Sequence, residues 1–575
     1  MKRKGLFFQT AGCVAVVFLF IAPLFRLIFM SLTQSSGYGL GNYAELLQQS
    51  RTLQAILNTI FIALASTGLS AVLGTMFAFL IAYTNIRHKK LLELLVLLPM
   101  ILPSYVITLS WTSLFSQNGA ASRFLQVLHF PTVNLYSLGG ILFVLGLCNM
   151  PLVYLTAVET LRKIPKELEW AARAAGCGPW ETLLRVNLVQ ASPAIIGGSV
   201  LAFLSCMDNF SVPAFLGIPA SIPVLSTYIY EKAIGFGPDS FALAAALSVL
   251  LSAVAISGSV FMMFFARKIK RFDSIRPDFS DRIFWGDKVR RLVESCCIGL
   301  LGILDIVPLA TMMISSFQDL YGQGFTLTGL SLKNYQFILT NSGVLHATVN
   351  SLFLALITCV ACILLGTAAA YRKSRGGGIA VRLLELSSSL TYAIPGIVLA
   401  LAMIFHWSMV PGVYGSIQIL IIAYITRYLI IQIKGSSAAM LSVHPALEEA
   451  ASVSGCGKVR KWKKLLVPLL FRQTVSSTLL IFVSALTEMT LSSILASAGT
   501  ETIGLAIFNL QQSGDYNLAD SFSVVIVFLI LLSYGCIRYA CREKKTQKEI
   551  PVRCEKKATH SRFNKALNKV EESTL

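Results

Sequence analysis

The sequence predicts an all-α integral membrane protein of about twelve transmembrane helices, arranged as two parallel, repeated six-helix halves. Of its 575 residues, 55% are hydrophobic and only 13% are charged, and the mean hydropathy of +0.70 is typical of membrane proteins. Apolar runs of about 20 residues, long enough to cross a bilayer, recur along the whole chain. The second half of the chain also repeats landmarks of the first.

Each half contains six of these apolar segments. We interpret the first, which follows "MKRK", as a retained helix, because its apolar stretch is longer than the core of a signal peptide. The predicted spans are 6–30, 54–83, 91–115, 137–158, 194–217, 241–266, 294–317, 348–371, 383–407, 415–433, 472–496 and 520–540.

The net charge of +20 indicates the orientation of the spans. With the N-terminus inside, the outward loops carry only Arg51, Arg123, Lys232 and Lys333, and nearly all other cations lie on the cytoplasmic side, as the positive-inside rule requires. Both termini are therefore predicted to be cytoplasmic. Because the cations are divided among loops between apolar helices, we expect them to meet anionic lipid headgroups of the bilayer and no nucleic acid.

The chain aligns with itself, which indicates a tandem duplication. "GNYAELL", starting at Gly41, matches "KNYQFIL", starting at Lys333, and "NTIFIAL" matches "NSLFLAL" at the same offset. Six crossings return the chain to the cytoplasm, so the two halves share one orientation. The predicted domains are a first half 1–270, a basic cytoplasmic linker 271–293, a second half 294–541 and a basic cytoplasmic tail 542–575.

A second repeat lies between the fourth and fifth span of each half, in cytoplasmic loops at about 159–193 and 434–471. "EWAARAAGCGPWETLLRVNLV" in the first loop corresponds to "EEAASVSGCGKVRKWKKLLVP" in the second. Each predicts a short helix that begins near a proline, carries carboxylates in its first turns and ends at Gly176 or Gly455. Exposed small residues allow another surface to approach closely, so we interpret both loops as docking elements; the alternative is an ordinary connector.

The second loop resembles the EAA loop of binding-protein-dependent ABC-importer permeases with the type I fold. Glu449, Ala450, Ala451 and Gly455 match the pattern E-A-A-x-x-x-G, and Pro468 follows thirteen residues later. The first loop departs from the pattern, since Trp170 occupies the Glu position and Glu169 is displaced by one. The resemblance extends over nearly the whole chain, because both halves show the family's order of spans around the loop.

This resemblance implies two type I permease halves in a bacterial cytoplasmic (inner) membrane. It implies as partners two copies of a cytoplasmic ABC ATPase and a separate extracytoplasmic substrate-binding protein. The chain has no G-x-x-x-x-G-K-[ST] motif, so we expect a transport subunit rather than an enzyme, binding no cofactor or metal itself while the ATPase uses ATP. The residues implied in ATPase coupling are Glu169, Ala171, Ala172, Gly176, Glu448, Glu449, Ala450, Ala451 and Gly455.

The fusion of two halves, with the segments Asp208–Ala233 and Thr487–Leu510, resembles the iron(III) permease group most. Permeases for thiamine, 2-aminoethylphosphonate, polyamines or sulfate remain alternatives. Intramembrane acids tend to face a pore, so Asp208, Asn209 and Glu488 are candidates for the translocation path, where two acids favour a cation. The alternative is that both acids lie at wet, structural helix ends.

Two other classes of protein are compatible with twelve spans. A secondary transporter of the major facilitator type also has two parallel six-helix halves, but it has no need of matched docking helices. A membrane scaffold is the other alternative.

Three further charged residues lie near predicted span ends, where snorkelling towards the headgroups explains them: Arg26, Asp305 and Arg427.

Overall fold

The computed structural model describes residues 10–34, 37–235, 237, 239–266, 278–319 and 329–540. Within these ranges, ten continuous helices and two sharply bent helix pairs are long and apolar enough to cross a membrane. With each bent pair counted as one span, this confirms the prediction of about twelve spans. The tail 542–575 and residues 271–277 of the linker lie outside the described residues.

Spans 1 to 6 form the first half. Their bounds are Thr10–Ser31, Ser50–Tyr83, the pair Lys89–Ile101 and Ser104–Leu114, Leu138–Leu161, Pro179–Asp208 and Ser240–Phe264.

Spans 7 to 12 form the second half. Their bounds are Asp287–Ser315, Ser342–Ser374, the pair Ile379–Ala393 and Gly396–Trp407, Ile417–Leu441, Val459–Leu486 and Tyr516–Gly535.

Short elements connect the spans. A two-stranded antiparallel hairpin pairs Thr33–Gln34 with Gly37–Tyr38. The short helices are Gly41–Gln48, Ala120–Val127, Lys166–Ala174, Ser211–Leu216, Leu225–Ile234, Lys333–Thr340, Pro445–Val453, Ser492–Leu495 and Ile503–Gln512.

Spans 3 and 9 were predicted as single helices, and in this respect the prediction is wrong. Each breaks into two helices, bent by 104° in span 3 and by 117° in span 9. The breaks lie at Leu102-Pro103 and Ile394-Pro395, where the residue before each proline is extended. Proline lacks the N–H that would continue the helix and disfavours helical geometry in its predecessor. These two dipeptides are equivalent in the repeat, so both halves contain the same break.

Spans 5 and 11 begin and end earlier than the predicted 194–217 and 472–496. Each starts in the loop, at Pro179 or Val459, and continues through a π-helical turn into the membrane without interruption. Each then stops at Asp208 or Leu486, before a short separate helix. Hydropathy stays high over the apolar residues that follow Asp208 and Leu486, so a prediction from composition alone placed the span ends too late.

The hydrogen bonds confirm the duplication. In the first half, Asn42 Nδ2 donates to the carbonyls of Ser31 at 3.0 Å and Thr33 at 2.7 Å. In the second half, Asn334 Nδ2 donates to the equivalent pair, Ser316 at 3.1 Å and Gln318 at 2.9 Å. The repeated Asn-Tyr motif therefore fastens a short helix to the end of the first span in both halves.

The core of each half is a bundle of its second, fourth and fifth spans. Gly74 and Gly366, which are equivalent, permit close packing between the second and fourth spans. A Cβ on Gly74 would lie 2.8 Å from the Met150 carbonyl oxygen, and a Cβ on Gly366 would lie 2.8 Å from Cβ of Gln432. A larger residue at either position would separate the two helices.

The first span of each half packs on the opposite half. Ala22–Ser31 of span 1 lies against Gly396–Trp407, and Val307–Ser315 of span 7 lies against Ser104–Leu114. Aromatic contacts add to the interface, since the rings of Phe215 and Phe508 lie 5.6 Å apart. The two halves are therefore interlocked.

The orientation of the spans gives a first testable prediction. Single cysteines at Lys333 and Thr500 are expected to react with an impermeant maleimide added outside intact cells. A cysteine at Lys458 is expected to react only after permeabilisation, because it lies in the loop predicted to be cytoplasmic. Labelling of Lys458→Cys from outside would contradict any contact of this loop with a cytoplasmic partner. Arg276, also predicted to be inside, lies outside the described residues.

Candidate functional site

The two predicted loop helices are present at equivalent positions. We call Lys166–Ala174 the first loop helix and Pro445–Val453 the second loop helix. Pro165 is the N-cap residue of the first and Pro445 is the first residue of the second, where a missing N–H costs no helix hydrogen bond.

Both loop helices end in the same glycine-dependent turn. Gly455 has φ +79° and Gly176 has φ +94°, a region that side chains disfavour. The N–H of Cys456 donates to the Ala451 carbonyl at 2.9 Å, and the N–H of Cys177 donates to the Ala172 carbonyl at 3.1 Å. The predicted glycine terminators are confirmed as local structure, while the role of the loops in coupling stays a prediction.

In the second loop, the carboxylate of Glu448 is buried and fully engaged. It accepts a hydrogen bond from Arg375 Nε at 2.8 Å and another from Tyr371 Oη at 2.9 Å. Arg375 Nη2 also donates to the Val443 carbonyl at 3.2 Å, and Lys461 Nζ lies 3.8 Å from the carboxylate. The ion pair between Glu448 and Arg375 holds the start of the second loop helix against the end of span 8. The buried Glu448 carboxylate requires this partner, because a buried charge is stable only when paired.

The equivalent carboxylate in the first loop, Glu169, is buried in a corresponding ion pair. Arg282 Nη1 donates to Glu169, and Arg282 Nη2 donates to the Ile164 carbonyl at 2.7 Å. Asn187 Nδ2 donates to the same carboxylate at 3.0 Å. Ile164 and Val443 are equivalent, so an arginine joins the same two points in both loops.

The faces left exposed by this anchoring are also equivalent. From Trp170 to Gly178 and from Glu449 to Gly457, the same corresponding positions are exposed and the same two are half-buried. Ala171, Ala450, Gly176 and Gly455 are exposed, while Ala172 and Ala451 are half-buried. Trp170 is 61% exposed, so the departure from the E-A-A pattern falls on the outer face. It leaves the buried anchor unchanged.

Sequence reasoning missed Arg282 and Arg375, which complete the two anchors. Only one signal indicated them indirectly: carboxylates at equivalent positions in two copies, if buried, each require a cation. Arg375 directly follows the last residue of span 8, the second span of its half, whereas Arg282 comes from the linker. No sequence repeat relates the two arginines.

A second polar cluster lies where spans of the two halves meet. Asp208, at the end of span 5, accepts a hydrogen bond from the N–H of Gly396 at 2.6 Å. It also forms an ion pair with Arg427 Nη2 at 2.5 Å. Both partners belong to the second half. The Asp208 carboxylate therefore links the two halves. Its negative charge is balanced by Arg427, and the argument that two acids favour a cation in the path did not include this arginine.

Asn209 and Glu488 are equivalent residues with the same local role. Asn209 Oδ1 accepts from the N–H of Val212 at 3.0 Å, and Glu488 Oε1 accepts from the N–H of Leu491 at 3.0 Å. Each side chain thus accepts a hydrogen bond from the backbone N–H three residues later, where the chain leaves span 5 or span 11 for the next short helix. Glu488 also accepts a hydrogen bond from the Tyr428 hydroxyl. Their place in a translocation path stays a prediction.

The interpretation of Arg427 and Asp305 as snorkelling residues is wrong. Arg427 lies near the middle of span 10 and is 5% exposed, and Glu488 as well as Asp208 acts on it electrostatically. Asp305 is 8% exposed, in a π-helical turn inside span 7. The span containing Asp305 begins at Asp287 rather than 294, which moves this residue away from the membrane surface.

Comparison with known proteins finds transport permeases. The ferric transport system permease protein FbpB of Actinobacillus pleuropneumoniae is 24% identical over 93% of this chain and 78% of the relative. The sulfate transport system permease protein CysT of Escherichia coli is 28% identical over 41% of this chain and 84% of the relative. A chain from the crystal structure of a bacterial alginate ABC transporter, in complex with alginate pentasaccharide-bound periplasmic protein, matches 46% of this chain and 96% of its own length. Its sequence identity is 18% and its TM-score is 0.39.

The sequence model of one family matches this chain twice, at residues 70–271 and 362–539. The two matches together cover more than half of the chain, and each contains one loop helix with its glycine terminator. This chain belongs to the family of binding-protein-dependent transport system inner membrane components, as a double permease with one copy of the family unit in each half.

Proposed function

We propose that this chain forms the translocation path of an ATP-driven importer for iron(III), delivered by an extracytoplasmic binding protein. The family membership supports import through a multi-pass inner-membrane permease. The observation that carries the substrate proposal is the resemblance to a ferric permease over 93% of the chain, both fused halves included.

Other substrates of the same machinery remain alternatives. The resemblance to the sulfate permease is slightly higher in identity but covers only 41% of the chain. A putative 2-aminoethylphosphonate permease of Salmonella typhimurium matches 38% of it. The cluster of Asp208, Arg427 and Glu488 does not discriminate between a cation and an anion, because the arginine neutralises one carboxylate.

The two loop helices support a pair of ATPase subunits as partners. Each helix is anchored to the permease by a buried glutamate and presents small residues outwards, as a surface that must fit a groove requires. Because the two exposed faces have the same pattern, each half offers one docking element of similar shape. One fused chain therefore binds two copies of a cytoplasmic ATPase.

Uptake measurements test the substrate. A strain lacking this gene is expected to lose most energy-dependent uptake of radioactive iron(III) under iron limitation, and a plasmid copy is expected to restore it. Uptake of sulfate, thiamine and 2-aminoethylphosphonate is expected to remain at the parental rate. Unchanged iron uptake together with loss of one of the other activities would overturn the iron proposal.

A separate experiment tests the ATP-driven mechanism. The tagged chain, purified from its own host in mild detergent, is expected to carry two ATPase subunits per chain by mass measurement. In proteoliposomes, uptake is expected to require ATP and the binding protein. Uptake driven by an ion gradient without ATP would favour a secondary transporter instead.

A further inference from the structure

The described part of the linker between the two halves is hydrogen-bonded to the first half. Residues 278–286, which we call the clasp segment, run along the loop-side end of the first half. The N–H of Asp278 donates to the Arg162 carbonyl at 2.7 Å, and the N–H of Arg282 donates to the Tyr83 carbonyl at 2.8 Å. The clasp segment therefore adds backbone hydrogen bonds to the ends of spans 4 and 2.

Side chains hold the clasp segment at further points. Asn85 bonds the backbone of Trp285 twice, donating to its carbonyl and accepting from its N–H, both at 3.1 Å. Lys89 Nζ lies 2.6 Å from Asp281, and Lys166 Nζ, in the first loop helix, lies 3.3 Å from Asp278. Hydrogen bonds from Ser280 and Lys166 lower the pKa of Asp278 to about 2, so this carboxylate stays charged in the physiological pH range.

The central contact is the ion pair between Arg282 and Glu169. The Arg282 side chain is 3% exposed and that of Glu169 is 6% exposed. The guanidinium also lies over the ring of Tyr83, at 4.5 Å from the ring centroid. In the repeat, Tyr83 is the equivalent of Arg375, so the first half lacks an arginine at the position that anchors the second loop helix. The clasp segment supplies the missing guanidinium.

The other end of the clasp segment leads directly into the second half. Span 7 begins at Asp287, and its Glu294 accepts a hydrogen bond from the N–H of His88 at 2.8 Å. His88 and Lys89 both belong to the first half. A single stretch of chain thus connects the first loop helix to the first span of the opposite half.

We propose that the clasp segment positions the first loop helix, with Arg282 as the positioning residue. It ties this helix to span 7, so that a movement of the second half reaches the docking element of the first half. The second loop helix has no such tie among the described residues, because Arg375 anchors it from span 8 of its own half. The consequence for transport rests on the proposed function, while the positioning itself does not.

Amide hydrogen exchange of the purified full-length chain tests the positioning without ATPase, binding protein or substrate. Arg282→Gln is expected to speed exchange in peptides covering residues 166–174 by about tenfold or more, because local opening no longer breaks a charged hydrogen bond. Exchange in residues 445–453 is expected to stay unchanged. Arg375→Gln is the matched control, and it is expected to produce the opposite selectivity.

Reciprocity provides a second readout. Glu169→Gln is expected to speed exchange in residues 278–286, and the double variant Glu169→Gln with Arg282→Gln is expected to add little to either single change. Arg282→Lys, which retains the charge, is expected to restore part of the protection. A purely local effect of Arg282 on its own segment would leave residues 166–174 unchanged and would overturn the proposal.

Milder variants keep the test valid if Arg282→Gln fails to fold. Asp281→Asn and Asp278→Asn remove partly exposed ion pairs of the same segment, and they are expected to speed exchange in residues 166–174 by a smaller factor. Equal exchange in these variants and the parent chain would contradict the proposal. If exchange changes as expected but the parent chain shows no ATP-dependent uptake, the proposed function is wrong, while the positioning of the first loop helix by the clasp segment is supported.

Discussion

Gly455→Asp is expected to abolish both co-purification of the ATPase and uptake, while the chain still inserts into the membrane. Gly455 has φ +79°, and no atom lies within 4 Å of a Cβ built there. The substitution therefore costs only about 1 kcal/mol of backbone strain within the chain. A new carboxylate on an exposed docking turn must instead be desolvated against the partner, which costs more than a docking contact supplies.

Comparison of pull-down yield and uptake with membrane-inserted protein level checks this result. Gly412→Asp is a matched control, since Gly412 has φ +81° and open space around its Cβ but lies in the turn between spans 9 and 10. The control is expected to retain the ATPase and to transport normally.

Two further variants extend this prediction. Ala451→Glu is expected to behave like Gly455→Asp. Gly176→Asp is expected to cause a milder loss of ATPase binding and uptake if the first loop helix, which carries Trp170, is the weaker contact. Normal docking and uptake in the Gly455 and Ala451 variants would reduce the loops to connectors.

Arg427→Met is expected to lower uptake by about tenfold or more and to reduce the thermal stability of the detergent-purified chain. Removing one partner of a fully buried ion pair costs about 3–5 kcal/mol. The cost here is expected to be smaller, because the Asp208 side chain that is left unpaired is 39% exposed and still accepts a hydrogen bond from the N–H of Gly396. Here the remaining Asp208 carboxylate lies at the junction of the two halves. Asp208→Asn is expected to lower stability as well, because it leaves the Arg427 guanidinium, whose side chain is only 6% exposed, without its ion-pair partner.

The double variant Asp208→Asn with Arg427→Gln separates pairing from other roles of the arginine. Without either charge, it is expected to be more stable than Arg427→Met alone. Lys163→Gln is the control, because it removes an exposed pair with Glu159, at 2.7 Å, and is expected to change stability by less than about 0.5 kcal/mol. Equal stability of Arg427→Met and the parent chain would mean that the ion pair does not hold the halves together.

The sequence predicted the spans well because hydropathy is a local property. It predicted their internal geometry less well. Leu102-Pro103 and Ile394-Pro395 were recognised as repeated landmarks, but whether such a proline kinks a helix slightly or reverses its course by more than 100° depends on neighbouring helices. The ends of spans 5 and 11 were misplaced for a related reason, since residues after the breaks are buried against protein rather than lipid.

The sequence by itself determined the duplication, the twelve spans, the two loop helices and their glycine terminators. These features rest on periodicity, on runs of apolar residues and on the unique conformational range of glycine, all of which are encoded within a few neighbouring residues.

Only the tertiary structure decided which charges are paired. Glu169 and Arg282 are 113 positions apart, and Asp208 and Arg427 are 219 positions apart. A buried carboxylate requires a cation, but nothing in its local sequence specifies which one. The equivalent loop glutamates show this directly: Glu448 takes its arginine from the end of span 8 in its own half, whereas Glu169 takes it from the linker. The choice follows from which chain segments the folded halves bring together at each carboxylate.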